Sequence, residues 1–591
     1  MKCLVVRVDT VTRFLIAALL LMCLLVVSAA GQAQPEEASS QPTTGTITGR
    51  VVTESGHPLP NATVSLRGSQ ALFQPRTTTT DSEGNFQISG LDPLLYGVSA
   101  IAPAYVNPPR DPDSPPNYYR IGDSITVDLI KGGVITGTVQ SATGEPIVQI
   151  MVRAVMVRDG NGQAPRYQAY QMQRVTDDRG IYRIYGLLPG TYVVSTMTRG
   201  VFVGSNDPYD TDAATYAPSS TRDTAAEISV RAGEETSGVD IRYRGEPGRV
   251  VSGVITGFDQ ASNIVSNVNL TQISNGVRMS SGFAFQPPGR TGFAFYGVSD
   301  GDYELMAQAS PQGEVSVSEP RRITVKGANV SGIELSVRPL GSIRGRVALE
   351  KSDAPECKNK RQPLFSETLV VARRNEKATR PDEPRLMMFF AAQGSPTKAG
   401  EFQLRNLAPG QYNLGARFFA RYWYLRSISK EAPLAPASAA NKTGTGKRQI
   451  DLARDGLFIK FGERPENVTF VLTEGAGSLR GKVNVGSGES IPGKLYVHLV
   501  PVEKENTENV LRFFAVEVKS DGTFSLNNLP PGRYWTFARV ASQDESHLET
   551  AVRTPEGKEL RTRLSKLAEA VKTELDFKPC QNVTNYSLPY R

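Results

Sequence analysis

Three histidines, His57, His498 and His547, are the whole imidazole supply of this 591-residue chain. A zinc peptidase needs at least two His ligands in a short motif plus an acid, and a Ser-His-Asp hydrolase needs a His between nucleophile and carboxylate. The three lie in separate places, near strand ends or turns, and none begins a His-x-x-Glu or His-Glu-x-x-His pattern. No Gly-x-Ser-x-Gly elbow, phosphate loop or cofactor fingerprint follows a strand-like run. The residue supply therefore predicts no catalytic site, no cofactor and no metal centre. Asp81 with Glu83, and Asp177 with Asp178, come nearest to a calcium site, and backbone capping at hairpin turns explains them equally well.

Aromatic rings are the other residues that could do chemistry, because a flat exposed ring can stack on the apolar face of a sugar at little entropic cost. Tyr118, Tyr119, Tyr216, Tyr422, Trp423 and Tyr424 are the candidates for ligand stacking. They fall in three of four segments that break the rhythm of the chain: 103–122, 199–227, 351–399 and 418–450. Long loops in compact domains are usually functional or disordered. Rings beside Pro have a second use, stapling a loop onto its own domain.

The elements that must position these residues repeat five times. Each repeat opens with apolar and small residues in alternation: Ile47, Gly49, Val51; Ile135, Gly137, Val139; the weaker Val251, Gly253, Ile255; Ile343, Gly345, Val347; and Leu479, Gly481, Val483. Period two means a half-buried strand, and the interior Gly predicts a bulge or a close backbone approach. A tight turn into an aromatic strand follows in the order Asp-x-x-Gly-x-aromatic, as at Asp81 to Phe86 and Asp177 to Tyr182. A Leu-x-Pro-Gly-x-Tyr turn closes the unit, as at Leu188–Tyr192, Leu407–Tyr412 and Leu529–Tyr534. Its Tyr resembles the corner Tyr of immunoglobulin-like sandwiches.

Short strands, frequent turn signals and almost no helical periodicity predict an all-β chain of about five tandem antiparallel β-sandwiches in an elongated string. The division expected is a signal peptide over 1–33, a disordered linker over 34–45, and sandwiches over 46–131, 132–245, 246–339, 340–475 and 476–591. The fourth carries long insertions. The fifth carries one short helix, where Leu560, Leu564, Leu567 and Val571 recur at helical spacing between Glu556 and Lys572 and predict an amphipathic helix packed on that sandwich.

This motif order resembles the carboxypeptidase regulatory-like domain, whose relatives include prealbumin-like and collagen-adhesin B-type modules and starch-binding-like sandwiches. In particular it is similar to the secreted multi-domain versions of acidobacterial type. The resemblance implies an Ig-like fold, and it implies little about role, because the same sandwich serves as spacer, stabiliser, adhesin and sugar binder.

Lys2, Arg7 and Arg13 flank an apolar run from Phe14 to Val27, followed by the small residues Ser28-Ala-Ala30 and then Gly31-Gln-Ala33. That is the pattern of a cleaved export signal, shorter than the roughly 20 residues that span a bilayer, and no second spanning run follows. Removal of the signal leaves Cys357 and Cys580, which in an oxidising compartment form one disulfide or stand as two isolated thiols. The formal charge of +7 is diffuse, which together with export excludes a nucleic-acid partner. Two readings stand: a non-catalytic carbohydrate-binding array on the cell surface, in the periplasm or outside the cell, or a structural spacer and adhesive scaffold making protein–protein contacts. Polysaccharide or a cell-surface protein is the partner expected, and the sequence sets no oligomeric state.

Overall fold

The computed structural model describes residues 44–69, 75–109, 117–165, 169–197, 208–258, 264–310, 314–375, 391–433, 447–486, 490–542, 545 and 547–590. The expected signal peptide falls outside them. The chain forms tandem β-sandwiches, with opening strands at Gly45–Thr53, Gly133–Gln140, Arg249–Thr256, Gly341–Glu350 and Gly477–Asn484. Each sandwich has two sheets. In the first they run in the order Asn85–Leu91, Gly45–Thr53, Ser124–Lys131, Tyr105–Val106 and Arg76–Thr79, Thr63–Gly68, Leu95–Ile101, Tyr119–Arg120. In the third, Ser316–Ser318 pairs with both sheets and merges them.

Each opening strand is central in its sheet. On one side it pairs antiparallel with the aromatic strand of the hairpin; on the other it pairs parallel with the last strand of its own unit. Thr48 to Thr53 run beside Ser124 to Leu129, Gly345 to Glu350 beside Val468 to Thr473, and Ser478 to Asn484 beside Asn582 to Pro589. One parallel pair thus recurs in otherwise antiparallel sandwiches. Ile47 and Val51, with their counterparts in the other units, are buried in five separate cores.

The interior Gly marks a close approach. Gly49, Gly137, Gly253, Gly345 and Gly481 lie directly opposite Phe86, Tyr182, Phe293, Phe402 and Phe524. A Cβ on any of them would collide with a carbonyl oxygen, from Ile125, Ile333, Val468 or Tyr586 of the parallel last strand or, in the second unit, from Val239 between its two parallel stretches. The opposing aromatic ring covers the space the missing side chain leaves. In the second unit, Tyr182 also donates its hydroxyl to the Val239 carbonyl.

Each closing turn is tied by its Tyr. The hydroxyls of Tyr96, Tyr192, Tyr303, Tyr412 and Tyr534 donate to the carbonyls of Asp92, Leu188, Ser299, Ala408 and Pro530, four residues back, at 2.9, 2.8, 2.8, 2.8 and 3.0 Å. The predicted helix forms at Lys558–Val571 and packs on the outer face of the strands Leu495–Pro501 and Gly532–Val540. Half of the expected face packs inward: Leu564 is buried and Leu560 packs against the same cluster, while Leu567 and Val571 are exposed and Arg561 and Ala568 are covered in their place. The buried Arg561 guanidinium donates to the carbonyls of Val552 and Thr554.

Neighbouring units are joined by side chains rather than by linkers alone. Arg338 lies 4.0 Å over the Phe461 ring between the third and fourth. The first unit also meets the fourth, through Ser69 and Ser395 at 3.0 Å, a bond from Gln393 to the Tyr118 hydroxyl, and Arg120 over Phe419.

The Gly–aromatic contact makes a direct prediction. In Gly345→Ala the new methyl meets the Val468 carbonyl and lies 2.7 Å from Phe402 Cζ, so the two strands must part. Urea unfolding is expected to show a loss of about 1–3 kcal/mol, in the range of overpacked cores. Gly415→Ala, with open space where its Cβ would go, is expected to stay within about 0.5 kcal/mol.

Candidate functional site

The histidines occupy three unrelated settings. His57 sits in an exposed turn with Nδ1 2.8 Å from Ser55 Oγ, and His547 precedes a single helical turn at Leu548–Ala551 with φ of 52°. His498 is fully buried beneath the C-terminal helix, stacked on Phe537 with ring centroids 5.3 Å apart. Neither of its ring nitrogens has a partner among the described residues. Burial, and then the charge of Arg539, push its pKa from 6.5 down to about 3, so the ring is neutral.

The acidic pairs are occupied by their own turns. Asp81 accepts the amides of Glu83 and Asn85 at 3.0 and 2.7 Å, and Asp177 those of Arg179 and Ile181 at 3.0 and 2.7 Å. The Ile181 amide, with Arg179, holds the Asp177 carboxyl below its ordinary range. Among the described residues no three His, Cys, Asp or Glu side chains gather as a metal set.

The aromatic candidates are mostly used inside the molecule. Trp423 is completely buried in the core of the fourth unit, which leaves neither ring face for a sugar. Tyr216 is buried in the seam between the second and third units, with its hydroxyl 3.3 Å from Gln272 Oε1. Both depart from the stacking role. For Trp423 the reason is alternation along its strand, which turns one side chain in every two toward the apolar interior; Tyr216 lies outside the strands and is held by the apolar packing of the seam. Tyr422 accepts from Asn582 Nδ2 of the fifth unit at 3.1 Å, and Lys360 Nζ lies 4.6 Å over its ring. Tyr424 is half-buried, and burial raises its pKa. Tyr119 packs against the first core opposite Tyr96, and Tyr118 is half-buried at the contact with the fourth unit.

The joint between the fourth and fifth units is the most heavily fastened. Cys357 and Cys580 are bonded, S–S 2.09 Å and Cα–Cα 5.4 Å, across 223 residues of sequence. Asn528, held at φ of 59°, donates to the carbonyls of Ala420 and Trp423 at 2.8 and 2.7 Å. Glu556 at the start of the helical tail accepts from Asn413 of the fourth unit at 2.9 Å. Sequence reasoning passed over these polar bridges; the one local signal was Asn528 at the turn position that Gly90 and Gly186 fill elsewhere.

A second joint holds a cavity that the sequence reading missed. Strand Met151–Asp159 is buried on both faces, one toward its own core and one toward the third unit. Arg153 interrupts that apolar run, which is the signal that could have drawn attention to it. Its guanidinium donates to the Ser280 carbonyl of the third unit.

With the geometry set out, the class is that of a tandem β-sandwich protein. Residues 46–111 match the carboxypeptidase regulatory-like domain. Similar solved structures include the TIE protein of Bacillus anthracis (10% identity, 74% of this chain and 76% of that one, TM-score 0.14). Others are a minor pilin of Streptococcus agalactiae (12% identity, 34% and 97%, TM-score 0.17) and a shaft pilin of Lactobacillus rhamnosus GG (11% identity, 35% and 100%, TM-score 0.17). Likeness at these TM-scores carries nothing about arrangement or role. No curated protein matches the chain. Among the described residues no helix is long and apolar enough to cross a membrane.

His498 makes stability depend on pH. Its folded pKa is depressed, so the unfolded chain takes up a proton first as pH falls. Stability is present in full above the unfolded value of 6.5 and is lost as pH falls from there toward about 3. Chemical denaturation at pH 7 and pH 4 is expected to differ by a few kcal/mol through this residue. His498→Phe is expected to remove that part of the slope.

Proposed function

We propose that the protein is a non-catalytic exported scaffold, a set of sandwiches fastened to one another to present a fixed surface for contact with other proteins. The observation that carries this reading is where the aromatic residues go. Trp423 fills a core, Tyr216 and Tyr422 fill or bridge joints, and Tyr118 accepts across to the fourth unit. A histidine supply divided between a turn, a helix start and a buried core supports the absence of catalysis. The competing reading, carbohydrate binding through loop aromatics on a starch-binding-like sandwich, draws on the same residues and has fewer of them to use. Export is supported by the basic and apolar N-terminal segment together with the Cys357–Cys580 bond, which belongs to an oxidising compartment.

Retention on a neutral polysaccharide such as starch, for the mature chain and for Trp423→Ala, separates the two readings. The expected result is no retention by either form, with Trp423→Ala destabilised by about 3–5 kcal/mol, as for a large aromatic lost from a core. Retention that disappears in Trp423→Ala at unchanged melting temperature would reverse the order of the readings. Export has its own measurement: denatured, unreduced protein from the native host is expected to take up no thiol label. Cys580→Ser is expected to lower stability by roughly 2–5 kcal/mol, because the bond closes a long loop.

A further inference from the structure

Where the second unit meets the third, the edge of the third sandwich is left open and encloses a cavity of about 50 Å³. Leu270, Phe295 and Tyr303 line its inner side, and Arg153 and Asp212 of the second unit close it. Tyr296 also lines it and is 43% exposed, which puts that ring at the mouth.

Two polar atoms at this seam have no partner among the described residues, Arg153 Nε and Ser195 Oγ. Arg153 is 3% exposed and Ser195 1%, and the two residues stand directly opposite each other on paired strands. Side chains so placed are neighbours on one face. Buried polar groups are almost always satisfied, and a charged donor left unmet is the costlier kind. Asp212 lines the same cavity, where its carboxylate accepts the Tyr243 hydroxyl at 2.5 Å and the Thr211 hydroxyl at 3.5 Å, and no bond joins it to Arg153 Nε.

We propose that this crevice binds a carboxylate carried on a six-membered ring. The unmet donor is a guanidinium N–H, whose natural acceptor is an anionic oxygen. The enclosed volume is room for roughly three waters, enough for a carboxylate and too little for a ring. The ring therefore stays at the mouth, where Tyr296 offers a flat apolar face. A uronic acid and a benzoic-type acid share this chemistry. The inference goes beyond the scaffold reading and uses none of the residues tested on starch, so the two fail independently.

Titration of the full mature chain with glucuronate, benzoate and acetate, followed by calorimetry, tests it. At least one ring acid is expected to bind in the millimolar range, tenfold or more tighter than acetate. A response to glucuronate alone identifies a sugar acid, and one to benzoate alone an aromatic acid. Arg153→Gln is expected to weaken the binding tenfold or more. Tyr296→Ala, at an exposed position, is expected to keep the wild-type melting temperature while reducing the ring acid to the level of acetate. If Arg153→Gln does not fold, Tyr296→Ala decides. Equal binding of all three acids, no binding, or a Tyr296→Ala form that binds like wild type overturns the proposal; an ordered water as the only occupant gives the second of these.

Discussion

A missing side chain organises each unit. At Gly49 and its four counterparts, a carbonyl from the end of the unit approaches the opening strand so closely that no Cβ fits, and an aromatic ring from the hairpin closes the gap. That three-way contact couples pieces far apart in sequence. Gly481 depends on Phe524 and on Tyr586, one contributed by the hairpin and the other by the end of the unit. Parallel pairing of first and last strands requires a long crossover, so loop closure must come before the contact can stabilise anything. The repeated motifs are the local marks of that single requirement.

This explains what could be read in the sequence. Alternation around Ile47, Gly49 and Val51 announces a strand, and the Gly announces a close approach. The Asp-x-x-Gly turn and the corner Tyr act within a few residues of themselves, so their geometry is visible in one dimension: Asp177 to the Ile181 amide, Tyr412 to the Ala408 carbonyl. Contacts between units have no such local mark. Trp423 sits in a segment rich in aromatic and basic residues and reads as an exposed loop, yet its strand pairs with Val468–Glu474 and turns the indole inward. The helix Lys558–Val571 was legible as a helix with Leu560 and Leu564 turned inward, while the burial of Arg561 was not, because its guanidinium finds carbonyls to satisfy it.

The joints differ in kind. Between the fourth and fifth units a covalent bond works with Asn528, Asn582 and Glu556, so polar geometry sets the angle. Between the second and third units the seam is mainly apolar, built from Val155, Val157, Val193, Val277 and Met279. Packing of that sort sets distance more than direction, and it tolerates a gap where a sandwich edge is left open.

The parallel closure also gives every unit a direction. Because first and last strands run the same way, the chain enters a sandwich at one end and leaves it at the other, with Lys131 only two residues from Gly133. Tension along the chain therefore pulls these two strands past each other in shear, loading the whole ladder at once instead of opening it bond by bond. The first, fourth and fifth units oppose it with long ladders. The second closes on two short stretches, at Glu235–Thr236 and Ile241–Arg242, bridged by the bond from the Val239 amide to the Thr136 carbonyl.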